Sequence, residues 1–257
     1  MRPLDHDRYC TEVVTQTRQF AAQLSTAQLS LPVPACPGWT LADLGRHVGG
    51  NLRTVGTAVL TGRPVDDTGS QVPGASGPAD NDPVAMEAWL LTEADRFASA
   101  MLAAGPAAEV QVWGIEGTTA FWARRAAHDV VVHRADVAAA LGSAYHVAPD
   151  MAADAIDELL ELFEGEDVEL GPAGRSIHLH ATDTGGTEER AAEWFIELDD
   201  EGFGWRRAHG RATVTLRGPL SDLLRVFHRR LPPRSEGLEV LGETALLDRW
   251  LQQVALR

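Results

Sequence analysis

Two polar residues that can bind a metal, Asp129 and His133, lie one helical turn apart in the segment FWARRAAHDVVVHRADVAAALG. The residues around them recur at steps of three and four, which predicts that both side chains lie on the stripe this helix uses for packing. A carboxylate and an imidazole in a helical interior are costly unless each is paired or coordinated. The spacing alone leaves three interpretations open: a hydrogen-bonded i,i+4 pair, a pair at the surface, or two metal ligands.

A third candidate ligand, His47, lies at the edge of an apolar stripe on a second predicted helix. Two imidazole nitrogens and one carboxylate suit zinc or a comparable divalent ion and leave coordination positions open for water or substrate. The sequence therefore predicts a metal site built from His47, Asp129 and His133, with Lewis-acid chemistry at its open side. Asp43, one turn before His47, and Asp136, three residues after His133, are candidates for orienting the imidazoles.

The remaining histidines and both cysteines carry weaker signals. His128 lies five residues before His133 and about 140° around the helix from it, so we expect it at the surface or hydrogen-bonded beside the site. His178 and His180 alternate on one side of a predicted strand and could form a metal pair, but exposed strand histidines are the simpler interpretation. Cys10 and Cys36 have no CxxC spacing and predict two reduced thiols. The chain has no GxGxxG, Walker, GxSxG or HExxH motif, so nucleotide binding and the common hydrolase mechanisms lack support.

The elements that must position the three candidate ligands are four long helices. Apolar periodicity predicts helices over residues 5–28, 40–61, 83–104 and 119–141. Thr40 with Asp43 predicts the start of the second, directly after the proline-rich turn LPVPACPGW, which Trp39 anchors. Residues 62–83, rich in Gly, Pro, Asp and Ser, predict a long loop that is either a lid or a connector. Four such helices favour a bundle whose site is built from inward-facing side chains.

The second half of the chain has a different pattern. A helix is predicted from Pro149 to Phe163, with its acidic residues, including Asp154, Asp157 and Glu158, on a solvent-facing side. The alternating segments SIHLHATD, EWFIELDD, GFGWRRA and RATVTLRG predict strands of an antiparallel sheet, and two helices follow them. We therefore predict an α+β fold with a four-helix bundle over residues 1–147 and a smaller α+β domain over residues 148–257.

Composition and charge limit the classes of partner. The 257 residues are 44% hydrophobic and 23% charged, which is ordinary for a folded protein. A formal net charge of −15 repels phosphate backbones and anionic membranes, so we expect no nucleic-acid and no membrane partner. The opening MRPLDHDRYCTEVV lacks the cationic start and apolar run of a signal peptide, which predicts a cytoplasmic protein.

Two segments together resemble a known family. LPVPACPGWTLADLGRHVGG and WARRAAHDVVVHRADVAAALG resemble the N-terminal domain of the mycothiol-dependent maleylpyruvate isomerase family, a branch of the DinB-like four-helix bundles. GPLSDLLRVFHRRLP and LEVLGETALLDRWL resemble its C-terminal domain, so the similarity spans nearly the whole chain. In that family a helix-two histidine, with a carboxylate and a histidine one turn apart on the last bundle helix, binds zinc. These positions match His47, Asp129 and His133, although the isomerase carboxylate is Glu and here it is Asp.

The resemblance also implies a reaction class. It implies zinc, or another divalent metal, and mycothiol as a low-molecular-weight thiol cosubstrate whose thiolate the metal stabilises. In the isomerase reaction the thiolate adds to a cis double bond conjugated to carbonyls, the resulting single bond rotates, and elimination returns the trans isomer. A thiol S-transferase would keep the adduct or displace a leaving group from its small electrophilic substrate. The alternatives are a metal-dependent hydrolase of a small molecule, or a non-catalytic binding or regulatory module that the metal stabilises.

Overall fold

The computed structural model describes residues 4–65, 72–164, 171–184, 192–200 and 202–254. Internal contacts divide the chain into two compact units, one over residues 4–145 and one from residue 146 onwards. The first unit is helical apart from one short hairpin, and the second combines helices with a five-stranded sheet. The predicted α+β class, a helical bundle followed by an α+β domain with an antiparallel-rich sheet, is confirmed.

Four helices and a hairpin form the first unit. They are α1 (His6–Leu24), α2 (Leu41–Thr61), α3 (Pro83–Ala104), β1 (Glu109–Val112), β2 (Ile115–Thr118) and α4 (Thr119–Leu141). Helix α1 packs on α3 and α4, and α2 packs on the same two helices. The hairpin was not predicted, because each strand has only four residues and its turn uses Trp113 and Gly114, both at positive φ, rather than a typical Asn-Gly pair.

Helix α2, which carries His47, begins at a reciprocal capping box. The Asp43 backbone N–H donates to the Thr40 hydroxyl, and the Asp43 carboxylate accepts from the Thr40 backbone N–H at 2.9 Å. The helix packs closely on α3, since a Cβ at Gly49 would clash with the Trp89 ring. The predicted start of this helix is therefore confirmed, and its end lies at Gly62 in the left-handed conformation.

Between α2 and α3 the structure describes residues 62–65 and 72–82. Arg46 donates to the Pro78 carbonyl at 3.0 Å and to the Asn81 side chain at 2.9 Å. Arg53 donates to the Pro73 carbonyl at 2.5 Å and to the buried Glu93 carboxylate at 2.6 Å. Residues 72–82 are thus an anchored connector along α2, while residues 66–71 of the predicted loop lie outside the described part.

The second unit is built around a mixed sheet. Its elements are α5 (Pro149–Phe163), β3 (Ser176–Ala181), β4 (Glu193–Leu198), β5 (Phe203–Arg206), β6 (Val214–Gly218), α6 (Leu220–Phe227), β7 (Glu239–Gly242) and α7 (Thr244–Gln253). The strand order is β5-β4-β3-β6-β7, and every pair is antiparallel except β3 with β6. One face of the sheet carries buried apolar residues, including Ile177, Leu179 and Ile196. The four predicted strands are confirmed, and β7 is an addition at the edge.

The predicted solvent-facing acidic side of α5 is wrong for three residues. Asp154, Asp157 and Glu158 are all buried. The Asp157 carboxylate accepts from Trp194 Nε1 at 2.7 Å and from the Arg207 guanidinium at 2.9 and 2.7 Å, and that guanidinium lies 4.1 Å from the Trp194 ring centre. These partners come from β4 and from the segment after β5, so helical periodicity could not reveal them. Separately, none of the described helices is both long and apolar enough to cross a bilayer.

Candidate metal centre

Helices α2 and α4 bring the three candidate ligands together. His47, Asp129 and His133 each offer one ligand atom, and these atoms all lie within 4.8 Å of one another. The His47 and His133 rings are nearly perpendicular, with centres 5.0 Å apart. The Asp129 carboxylate lies 3.6 Å from His133 Nε2, which is the i,i+4 relation expected from the spacing. The structure therefore places all three side chains at one point.

This cluster lies at the rim of the bundle rather than in its interior. The His133 side chain is 8% exposed, the Asp129 side chain is 25% exposed, and His47 is half-buried. The inner side is packed, because residues 130–138 of α4, which follow Asp129, are all buried. The outer side can be reached from solvent, which is the arrangement that a site for exchangeable ligands needs.

A buried carboxylate orients His133. Asp136 is fully buried and its carboxylate lies 2.8 Å from His133 Nδ1, with the Cys36 thiol donating to the same oxygen at 3.9 Å. A hydrogen bond from Nδ1–H to Asp136 leaves the lone pair on Nε2, on the side of Asp129. Asp136 thus lies where the sequence predicted an orienting group. The Asp43 carboxylate instead caps α2 and pairs with Arg46 at 3.6 Å.

Asn51 is a site residue that the sequence analysis missed. Its side-chain amide donates to His47 Nε2 at 3.1 Å and also hydrogen-bonds to Asp129. An imidazole lone pair and a carboxylate are therefore directed at one electropositive group, as they would be at a bound cation. Asn51 lies four residues after His47 on α2, so the i,i+4 spacing was the signal that could have revealed it. Trp39, from the turn before α2, packs its ring 5.0 Å from the His47 ring.

The electrostatics favour an ionised carboxylate at this site. Burial raises the pKa of Asp129, but the charges of His133, His47 and Arg125 outweigh that effect and hold the pKa below its usual value. The Arg125 guanidinium lies 3.8 Å from the Asp129 carboxylate. His128, predicted at the surface or beside the site, is fully buried, and its ring packs edge-on against Tyr9.

The donor set fits a divalent first-row ion. One ionised carboxylate and two imidazoles, one of which has its remaining ring nitrogen held by Asp136, are the ligands that zinc and its neighbours prefer. Three protein ligands leave at least one coordination position for an exogenous group. The residues that could hold a metal here are His47, Asp129 and His133, with Asp136 as the orienting partner of His133 and Asn51 hydrogen-bonded to His47.

Comparisons with known proteins place this chain in a family. Residues 10–138 match the family described as the mycothiol maleylpyruvate isomerase N-terminal domain, and residues 150–249 match its C-terminal domain. A crystal structure of the mycothiol-dependent maleylpyruvate isomerase is similar at a TM-score of 0.63 and 17% identity, covering 95% of this chain and 97% of that chain. A histidine-to-alanine mutant of that isomerase is similar at a TM-score of 0.61, with the same identity and coverage. No curated protein matches. The predicted resemblance is thus confirmed, and the chain belongs to an enzyme family, that of the mycothiol-dependent maleylpyruvate isomerases.

Proposed function

We propose that this chain is a zinc-dependent, mycothiol-using cytoplasmic enzyme of the maleylpyruvate isomerase type, acting on a small electrophilic molecule. The observation that carries the proposal is the convergence of His47, Asp129 and His133 within 4.8 Å, with one side open to solvent. Membership of the family and similarity in fold to the mycothiol-dependent isomerase support it. The reaction is a cis–trans isomerisation or a thiol S-transfer.

The charge of the donor set suits an anionic thiolate. A zinc ion held by these three side chains would supply Lewis-acid stabilisation that lowers the pKa of a bound thiol towards neutrality. Because Asp129 is the single anionic ligand, the loaded site keeps a net positive charge. Arg125 adds a second positive charge beside Asp129. We therefore expect the open side to attract anionic groups even though the whole chain is strongly acidic.

Neighbouring side chains keep this site in one arrangement. Asp136 holds the ring of His133 through Nδ1, so this ring does not have to reorient when a ligand binds. The Trp39 ring packs against the His47 ring, with the ring planes tilted by 58°. Asp136 and Trp39 thus hold the two imidazoles of the reactive centre in place.

Metal analysis tests the first half of the proposal. We expect His47→Ala and His133→Ala each to lose one equivalent of zinc per chain relative to the unaltered protein, measured by elemental analysis. His146→Ala is the matched control, because His146 is exposed and outside the cluster. Unchanged zinc content in both ligand variants would contradict the site.

A substrate screen tests the second half. Electrophilic substrates, including cis-configured α,β-unsaturated carbonyl acids, are incubated with mycothiol, with another thiol, or with none, and products are read by mass and chromatography. We expect turnover that requires mycothiol and is lost in His133→Ala. Turnover without any thiol would instead indicate metal-dependent hydrolysis, and no turnover at a coordinatively full metal would indicate a binding module.

A further inference from the structure

A second group of metal-binding side chains lies in the C-terminal unit, separate from the bundle ligands. It consists of His178, His180, Glu193 and His209, whose ligand atoms all lie within 4.8 Å of one another. No step of the proposed function uses these residues. Among the described residues, only this group and the bundle group bring three or more such side chains so close.

Strand register brings three of the four together. His178 and His180 alternate on β3 and therefore face the same side of the sheet. Glu193 on β4 is the direct cross-strand partner of His180, so its carboxylate lies on that side as well. This side is the opposite of the one that carries the apolar core residues of β3, Ile177 and Leu179.

His209 reaches the cluster from the segment that follows β5. A Cβ at the next residue, Gly210, would lie 2.6 Å from the Phe195 ring, so glycine lets this segment lie directly on the sheet. His209 Nδ1 is then 2.7 Å from the Glu193 carboxylate. Solvent exposure varies across the cluster: His178 is 3% exposed, whereas the His209 side chain is 75% exposed. The cluster therefore has a buried base and a solvent-facing rim.

The three imidazoles converge on one carboxylate oxygen. Glu193 Oε2 lies 2.8 Å from His178 Nε2, 3.3 Å from His180 Nδ1 and 2.7 Å from His209 Nδ1. A carboxylate oxygen offers about two lone pairs, so it cannot satisfy three imidazole donors fully. Ligand atoms of a tetrahedral zinc ion at about 2.0 Å are themselves about 3.3 Å apart, so the His180 separation already fits and the other two would have to open by about half an ångström. A divalent cation at their centre would replace the protons that these atoms otherwise have to share.

The protonation states suit ligation. Burial lowers the pKa of His178, although this ring donates a hydrogen bond to the Glu193 carboxylate, and the lower pKa favours the neutral imidazole. Burial raises the pKa of Glu193, but hydrogen bonds that its carboxylate accepts from His209 and His178 outweigh burial and keep that pKa below its usual value. The neutral imidazole of His178 and the ionised carboxylate of Glu193 are the forms in which these two groups bind metals.

We propose that His178, His180, Glu193 and His209 form a second zinc-type site, distinct from the bundle site. Four protein ligands leave no position for substrate, so this site is structural. It ties the segment after β5, through His209, to the central strands β3 and β4. It does not depend on the proposed reaction, and the bundle site does not depend on it.

Zinc titration of a full-length His47→Ala/His133→Ala variant tests the second site alone, with circular dichroism to confirm folding and cobalt absorption as a second readout. We expect one equivalent of zinc to bind and to raise the melting temperature. Adding His209→Ala to that variant should weaken zinc binding by more than about 100-fold, beyond what loss of an orienting partner costs. His209 is mostly exposed, so its removal leaves the fold intact. Adding His146→Ala instead is the matched control and should change nothing.

Two results would overturn the proposal. One is a folded double variant that binds no zinc, and the other is unchanged zinc affinity after His209→Ala. Should the double variant fail to fold, His209→Ala in the otherwise unaltered chain decides the question. Zinc stoichiometry must then fall from two equivalents to one, and an unchanged stoichiometry refutes the site. If the C-terminal site binds zinc and the bundle site does not, only the proposed function is refuted.

Discussion

Removal of the Asp136 carboxylate is the sharpest test of how the bundle site is organised. Asp136 is fully buried, touches no candidate metal position itself, and holds His133 Nδ1 at 2.8 Å. In Asp136→Ala this partner is lost, so the His133 ring can rotate and can place its proton on the nitrogen that should bind metal. We expect zinc affinity to fall although all three ligands remain in the chain.

The size of the expected loss in zinc affinity follows from the free energy of the hydrogen bond between Asp136 and His133. A hydrogen bond to a charged group contributes about 1.5–3 kcal/mol, which corresponds to roughly 10- to 150-fold in an equilibrium constant. Measured losses for partners that orient metal-bound histidines span about 10- to 100-fold. We therefore expect Asp136→Ala to raise the zinc dissociation constant about 30-fold. In Asp136→Asn the amide oxygen can still accept from Nδ1–H, so a smaller loss, on the order of fivefold, is expected because the charge alone is removed.

The assay is competition for zinc against a chromophoric chelator, at constant pH and ionic strength, in a His209→Ala background so that the bundle site titrates alone. Asp43→Asn is the matched control. It removes a carboxylate one turn from His47, but that carboxylate caps α2 through Thr40. The amide oxygen can still accept from the Thr40 backbone N–H, so we expect only the loss of a negative charge in the first turn, about 0.5 kcal/mol of stability, and unchanged zinc affinity.

Two outcomes would refute this reasoning. Equal zinc affinity in Asp136→Ala and the unaltered chain would show that His133 needs no orienting carboxylate. A loss in Asp43→Asn as large as in Asp136→Ala would show that the effect is general damage to the bundle rather than the orientation of one ring.

Three further predictions concern stability and reactivity. Burial raises the pKa of Cys10 to about 11. Iodoacetamide at about pH 8 should therefore alkylate this thiol on the order of 100-fold more slowly in the folded chain than in the urea-unfolded chain, and the rate should rise towards pH 11. Equal rates in the folded and unfolded chains would contradict this prediction. Gly49→Ala should destabilise the chain by about 1–3 kcal/mol because its Cβ meets a tryptophan ring, whereas Gly56→Ala, whose Cβ has ordinary contacts, should be neutral or stabilising in urea unfolding. Arg207→Ala leaves the buried Asp157 carboxylate without its cation and should cost about 3 kcal/mol; a loss below 1 kcal/mol in the same unfolding assay would count against that ion pair.

Features that lie within one helix could be predicted from the sequence. The four bundle helices follow from apolar periodicity, and the start of α2 follows from Thr40 and Asp43 alone. The relation between Asp129 and His133 is likewise local, because four residues make one turn. The hairpin between α3 and α4 could not be predicted, since strands of four residues carry too little alternation and Trp113 is an unusual residue at positive φ.

Burial on α5 shows why helical periodicity has limits. Helical periodicity assigns polar residues to the solvent-facing side, and this assignment is correct for Glu161, which is exposed. Asp157 has the same residue class but is buried, because Arg207 and Trp194 satisfy its carboxylate from 50 and 37 residues away. A buried acid of this kind is recognisable only when its partner is known, and the partner is fixed by the topology of the sheet.

The two histidine clusters differ in how much of each the sequence could reveal. For the bundle site, helix spacing gave Asp129 and His133, and the family resemblance supported His47 as the third ligand. For the C-terminal site, strand alternation gave His178 and His180, and the sequence alone favoured an exposed pair. The cross-strand register adds Glu193, and the return of the chain over Phe195 adds His209. With Glu193 and His209 added, His178 and His180 belong to a group of four possible ligands and are no longer an isolated pair on a strand. The interpretation of these two histidines therefore depends on contacts that no local sequence pattern contains.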